Sequence, residues 1–187
     1  MGSQFKENHN HILKIYKTDE ELSAMVTEVY GAALKRGEGA VLIATPGHRQ
    51  SFEESLAAIG LDVTALRECR QLVVLDAAAT LETFLVDGAP DAAKFHWAMG
   101  SVIDEMNKSY GMVNAYGEMV GILWDAGKPN ETIRLEQLWN DLQTAKTFTL
   151  ICGYAASQFK SGDLANLMKI CEEHSQAVAP IVYCFDN

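Results

Sequence analysis

The stretch Met112-Val113-Asn114-Ala115-Tyr116-Gly117-Glu118-Met119-Val120-Gly121-Ile122-Leu123-Trp124 decides the fold. Its first part, residues 112–116, reads as a short strand. After Gly117, the residues Met119, Ile122 and Leu123 recur at i, i+3 and i+4, the spacing of a buried helix face. A strand therefore turns directly into a helix, with Gly117 and Glu118 at the turn and Gly117 letting the backbone turn tightly. In an open α/β sheet, ligands sit outside the carboxyl ends of the strands, at such turns. Glu118 puts a carboxylate at that place. It serves either binding or only the positive end of its own helix.

The same strand-then-helix rhythm extends in both directions. Residues 11–16 predict a first strand. Thr18 and Glu21 form a capping box, and Leu22, Met25, Val26, Val29 and Ala33 mark the helix behind it, stopped near Gly37. Residues 40–45 are a continuous apolar run, as in a strand covered on both faces. Pro46-Gly47 break the run, and Phe52, Leu56 and Ile59 mark a helix ending at Gly60. A short helical piece is expected over 63–69. The run LVVL predicts a buried strand ending at Asp76, and Leu81, Phe84 and Leu85 a helix closed by Gly88. Pro90 suits the first position of a longer helix, whose apolar face carries Phe95, Ala98, Met99, Val102 and Met106 up to Gly111. Beyond Trp124 come a helix through Leu135, Leu138, Trp139 and Leu142, a strand over 148–152, a helix through Leu164, Leu167, Met168 and Cys171, and a last strand over 181–184. This order predicts an α/β fold, a three-layer sandwich with a central, mostly parallel sheet. The strands near 41–45, 72–76, 112–116 and 148–152 are expected as neighbours. Residues 1–10 read as a flexible tail, and 11–187 as a single domain.

The 187 residues are 48% hydrophobic and 21% charged, as in an ordinary globular domain with a real core. No apolar run reaches the roughly 18 residues of a membrane helix. The start, MGSQFKENHN, lacks the apolar region of a secretory signal, so a cytoplasmic protein is expected. A formal charge of −10 argues against direct nucleic-acid binding, which needs a Lys/Arg surface. Cys69, Cys152, Cys171 and Cys184 form no C-x-x-C pair, so neither a zinc site nor a redox dithiol is signalled; buried free thiols are the expectation for Cys152 and Cys171. The five histidines show no close ligand spacing, so no metal and no cofactor are expected.

The loop Thr45-Pro46-Gly47-His48-Arg49 lies where a phosphate-binding loop would lie, but G-x-x-x-x-G-K-[ST] is absent. His48 and Arg49 could still hold an anion at the helix start, or be solvent-exposed polar residues. Asp76 ends its strand and could carry chemistry or cap a helix. Tyr116 and Tyr154 end two strands and could wall one pocket around a small organic ligand, or be ordinary core aromatics. No nucleophile with an adjacent base is found, so no catalytic residue and no enzyme activity are expected.

The segments ATPGHRQSFEESLAAIGLDV (44–63), LVVLDAAATLETFLVDGAPDAAKF (72–95), AYGEMVGILWDAG (115–127), LEQLWNDL (135–142), LICGYAASQF (150–159) and CEEHSQAVAP (171–180) occur in that order. Over residues 11–180 the chain thereby resembles the MEDS domain, the sensory domain named for methanogens, methylotrophs and the DcmR regulator. The resemblance implies a RecA/KaiC-like α/β fold without working Walker motifs. It implies a non-catalytic input domain of prokaryotic signal transduction, including transcription regulation. Such domains stand alone or are fused to histidine kinases, PAS domains, DNA-binding regions or anti-sigma-type modules, and their implied ligands are simple hydrocarbon derivatives such as halomethanes or methylated compounds. The signalling partner is then a kinase, a regulator or an anti-sigma system. Sensor domains often dimerise, although no residue pattern here is specific to a homodimer. The expected ligand site at the carboxyl edge gathers Thr45, His48, Asp76, Tyr116, Glu118, Cys152 and Tyr154. Two other functions compete: a nucleotide-binding or enzymatic RecA-like domain with a degenerate phosphate loop, and a docking module whose pocket is filled by its own side chains.

Overall fold

The computed structural model describes residues 10–160 and 162–178. In chain order the elements are β1 (His11–Tyr16), α1 (Asp19–Lys35), β2 (Gly39–Ala44), α2 (Pro46–Ala58), α3 (Val63–Glu68), β3 (Leu72–Asp76), α4 (Ala77–Glu82), β4 (Leu85–Val86), β5 (Ala89–Pro90), α5 (Ala92–Tyr110), β6 (Val113–Gly117), α6 (Met119–Asp125), α7 (Pro129–Ala145), β7 (Thr149–Ala155), α8 (Leu164–Glu173) and β8 (Gln176–Val178). Six strands form one sheet in the order β3-β2-β6-β7-β1-β8, and every pair in it is parallel. The four central strands of the sequence reading are contiguous in it, as expected. The run AVLIA of β2 is wholly buried, which is why its sequence is apolar without alternation.

Two apolar layers cover the sheet. On one face Leu22 and Val26 of α1 and Phe52 and Leu56 of α2 pack on Leu42, Tyr116 and Ile151. On the other, Phe95, Leu123, Leu138 and Trp139 from α5, α6 and α7 pack on Leu13, Val41, Ala115 and Leu150. The result is a three-layer sandwich. The chain leaves β2 toward the first face and leaves β6 toward the second, although the two strands are neighbours. A sheet opens a crevice at its carboxyl edge where adjacent strands diverge in this way. The end of β2 and the end of β6 frame that crevice.

Several local expectations are corrected. Thr18 does cap α1, accepting from the Glu21 amide at 3.2 Å, but the Glu21 carboxylate accepts from the Lys17 amide and from Lys14. Gly88 does not close a helix. With Asp87 it takes positive φ and turns the β4–β5 hairpin. Pro90 belongs to that hairpin, and α5 starts one step later with Asp91 as its cap, accepting from the Lys94 amide. Of the thiols, Cys152 is buried but Cys69 and Cys171 are exposed. The strand expected over 181–184, with Cys184, lies outside the described residues, as does most of the 1–10 tail. No helix among the described residues is long and apolar enough to cross a membrane.

Candidate functional site

Glu118 is the residue on which the carboxyl edge converges. The β6 ladder ends when the Glu118 amide donates to Ile43 O at 3.0 Å. At the head of α6 its side chain makes no capping bond. Instead it reaches back across the edge to β2. Oε2 accepts from the Thr45 amide at 2.7 Å, and Oε1 accepts from the Tyr116 hydroxyl at 2.9 Å and from His48 Nδ1. The carboxylate is only 4% exposed, and these three donors supply what a buried anion requires. Two of these donors are a backbone amide at a helix start and His48, while the Tyr154 hydroxyl lies elsewhere, on Glu136. Gly117 keeps an ordinary φ and a Cβ there would meet nothing within 4 Å, so the turn does not depend on glycine. Gly153 of β7 is the position that does: a Cβ on it would collide with the Tyr116 hydroxyl and ring.

His48 lies on the first turn of α2. Its Nδ1 faces Glu118 and its Nε2 lies 3.2 Å from Asp19 Oδ1, so the ring joins the heads of α1 and α6. Phe52 stacks on it at 5.7 Å. The hydrogen bond to Glu118, working against partial burial and helped by the negative charges of Glu118 and Asp19, lifts the imidazole from 6.5 to about 9. His48 is therefore an imidazolium at neutral pH. Burial, with the charge of Glu118, pushes the Tyr116 and Tyr16 phenols above their ordinary value, so both stay protonated.

The other expected site residues separate from this group. Asp76 caps α4, accepting from the Ala79 amide at 2.9 Å, and pairs with Arg49 Nη2 at 2.8 Å. Arg49 is thus engaged next to the crevice. Cys152 and Tyr154 lie on the opposite face of the sheet. Tyr116 pairs in register with Ile151, so alternation sends Cys152 and Tyr154 the other way. There the Tyr154 hydroxyl donates to Glu136 Oε1 at 2.6 Å and the Cys152 thiol to Glu136 Oε2 at 3.2 Å. The single expected pocket is thus two separate places, with Thr45, His48, Tyr116 and Glu118 together in one, and Cys152 and Tyr154 in the other.

The edge group opens on a cleft of about 360 Å³. Thr45, His48 and Glu118 line it, together with Tyr16 and Asp19 after β1, Gly121, Ile122 and Asp125 of α6, and Gly153, Ala155, Ser157 and Gln158 around the end of β7. Gln158 fixes that last segment: its Oε1 accepts from the Ala155 amide, and its Nε2 donates to Asp125 at 2.7 Å and to Gly121 O. Trp124 stands beside the cleft and donates to Gln158 O at 2.9 Å. Sequence reasoning missed Tyr16 and Asp19, although the rule that strand ends share an edge reaches them. Gln158 and Asp125 carried no signal. Among the described residues lining the cleft, His48 is the one cationic side chain, against the carboxylates of Asp19, Glu118 and Asp125.

Two of the histidines, His11 and His174, far apart in sequence, also meet in space. His11, Glu136, Cys152 and His174 place ligand atoms within 4.8 Å of one another.

No curated protein sequence matches the chain. Among solved structures it is similar to the KaiC-like protein PH0186 from the hyperthermophilic archaeon Pyrococcus horikoshii OT3, with a TM-score of 0.51 at 13% identity. That match covers 79% of this chain and 64% of the other, and supports the KaiC-like α/β fold alone. The family model described as the methanogen/methylotroph, DcmR sensory domain matches residues 10–170. The chain therefore belongs to the MEDS family of sensory domains.

Proposed function

We propose that the chain is a non-catalytic input domain that binds a small organic molecule in the cleft beside Glu118 and passes the change to a signalling partner in the cytoplasm. The observation that carries this reading is the occupancy of the anion position by the protein itself. A nucleotide-binding loop offers backbone amides at a helix start to phosphate. Here the Thr45 amide is already bonded to Glu118 at 2.7 Å and His48 is bonded to the same carboxylate. With Asp19 and Asp125 also on the walls, the cleft repels a polyanion and accepts a neutral or cationic molecule. Simple hydrocarbon derivatives such as halomethanes or methylated amines have that chemistry. Binding acts on a partner only through different affinity for two states. The His48 link between the heads of α1 and α6 is the element a ligand would rearrange. The family's sensory role supports a signalling partner in general, and a kinase, a transcriptional regulator or an anti-sigma system is the proposed class.

Trp124 provides the test, because its indole is bonded to Gln158 on the cleft wall, while Trp97 is 78% exposed and Trp139 is in the core. Chloromethanes, methanol and methylamines added to the protein should shift tryptophan emission. The shift should vanish in Trp124→Phe and in Glu118→Ala, with the fold of both retained by circular dichroism. Native mass spectrometry should show one adduct per chain. A panel without effect at millimolar concentration, together with an ATP adduct, would transfer the site to the nucleotide-binding reading.

A further inference from the structure

The group beneath the other face of the sheet has more lone pairs than hydrogens. His11 begins β1, Glu136 lies on α7, Cys152 is in β7, and His174 ends α8. The side chains of both histidines and of Glu136 are fully buried, and so is Cys152. Hydrogen bonds fix both tautomers. Asn140 Nδ2 donates to Glu173 O and Glu173 Oε2, so its Oδ1 must face His11 Nδ1 at 2.9 Å and accept from it. His174 Nδ1 lies 2.7 Å from Ile170 O, a carbonyl that can only accept. Both imidazoles therefore spend their Nδ1 hydrogen outward and turn Nε2 inward.

Inside, His11 Nε2 lies 3.2 Å from Cys152 Sγ and 3.3 Å from Glu136 Oε2. Cys152 Sγ lies 3.2 Å from the same Oε2. His174 Nε2 lies 3.5 Å from Glu136 Oε1 and finds no hydrogen-bond partner. The hydrogens available are those of the Cys152 thiol and the Tyr154 hydroxyl, and the latter goes to Glu136 Oε1. The thiol hydrogen can serve His11 or Glu136 but not both, and His174 Nε2 is left aimed at a carboxylate oxygen. Such an arrangement calls for a positive charge at its centre.

We propose that His11 Nε2, His174 Nε2, the Glu136 carboxylate and the Cys152 thiolate form a binding site for a zinc-class divalent cation. The short separations of 3.2–3.5 Å come close to the edges of a tetrahedron, roughly 3.3–3.7 Å for zinc with nitrogen, oxygen and sulfur ligands, and the four groups place their ligand atoms all within 4.8 Å of one another. Thiolate with imidazole selects zinc over magnesium or calcium. Loss of the thiol proton leaves thiolate and carboxylate to balance the dication, so the buried site is neutral. Asn140 and Ile170 O orient the two rings, as partners of metal-bound histidines do. Four protein ligands leave no open position, so the site is structural. It clamps the end of α8, and with it β8, to β1, where Ser175 already bonds His11 O through both amide and hydroxyl at 2.8 Å. This site is independent of the cleft, from which the sheet separates it.

The experiment uses the full chain expressed in minimal medium supplemented with zinc or with cobalt, since a buried site loads as the protein folds. Metal analysis and native mass spectrometry should give one metal per chain. The cobalt form should show a thiolate-to-cobalt charge-transfer band and the strong visible bands of a four-coordinate ion. Cys152→Ser should lose the band and at least nine-tenths of the metal, while Cys171→Ser, at an exposed thiol, should keep both. His174→Gln guards against misfolding of the cysteine variant and should lose the metal as well. Wild-type protein with less than a tenth of an equivalent of metal overturns the proposal. So does bound cobalt without the thiolate band, or metal content unchanged in Cys152→Ser and His174→Gln.

Discussion

Replacing Glu118 by Gln removes the charge and one acceptor: the amide oxygen can still accept from Thr45 in place of Oε2, while the NH2 group stands where Oε1 accepted from Tyr116 and His48. His48 then loses the bond that holds its proton. Its imidazole, lifted to about 9 from 6.5, should fall back toward 6.5, retaining only the influence of Asp19, which is 75% exposed. At about 1.4 kcal/mol per pH unit the full rise corresponds to at most about 3.5 kcal/mol of coupling. His48 borders an open cleft, so solvent screening reduces this to about 1–2 kcal/mol. The sign follows from the raised value in the folded state. The stabilisation is complete below pH 6.5, where His48 is protonated folded or unfolded, and is lost as pH rises through about 9. Urea unfolding of the wild type should therefore give about 1–2 kcal/mol less stability at pH 9.5 than at pH 6, and that loss should be absent from Glu118→Gln. Imidazole resonances should place the His48 midpoint near 9 in the wild type. A midpoint near 6.5 in the folded wild type, or an equal pH dependence in the variant, refutes the pairing.

Gly153→Ala should cost about 1–3 kcal/mol in denaturant unfolding, because the new methyl meets the Tyr116 hydroxyl and ring in a packed layer. Gly117→Ala, with open space around its Cβ, should stay within about 0.5 kcal/mol of the wild type, so equal losses at the two glycines would contradict the close approach. ATP should show no heat of binding at concentrations that would report micromolar affinity, on the order of −8 kcal/mol. Asp76→Ala should lower stability by about 1 kcal/mol through the lost cap of α4, without altering the Trp124 response to any cleft ligand; a lost response would draw Asp76 into the site.

The sheet was legible because β2, β3, β6 and β7 are apolar runs of strand length bounded by glycine, proline or aspartate. β8 was not, since Gln176, Ala177 and Val178 are all exposed and carry no pattern. The β4–β5 hairpin was hidden because Asp87-Gly88 after Leu85 reads as a helix stop. Thr45, His48 and Glu118 were found by topology, as residues just past strand ends. The error over Cys152 and Tyr154 has a different cause. LICGY is apolar on both faces, so alternation shows that two faces exist without showing which one meets Glu118. Glu136 escaped notice for want of an isolated signal. Yet Thr132, Glu136 and Asn140 are spaced by four along α7 and all three are buried, a polar stripe beside the apolar one. Its meaning emerges only when β1, β7 and the end of α8, distant in sequence, close over it.

The bond between Glu118 and the Thr45 amide makes the protein its own competitor. Any free anion approaching the head of α2 meets a rival carboxylate that never diffuses away. Even loosely tethered groups act as though present at about millimolar concentration, and Glu118, held by backbone on both sides, acts at more than that. An anion with micromolar intrinsic affinity for the same amide would thus show apparent binding weaker by at least about a thousandfold. On the proposed reading, phosphate metabolites at ordinary cellular levels would thereby be screened out of a domain whose fold resembles that of KaiC-like proteins, and the cleft would be left to molecules that do not compete for that amide at all.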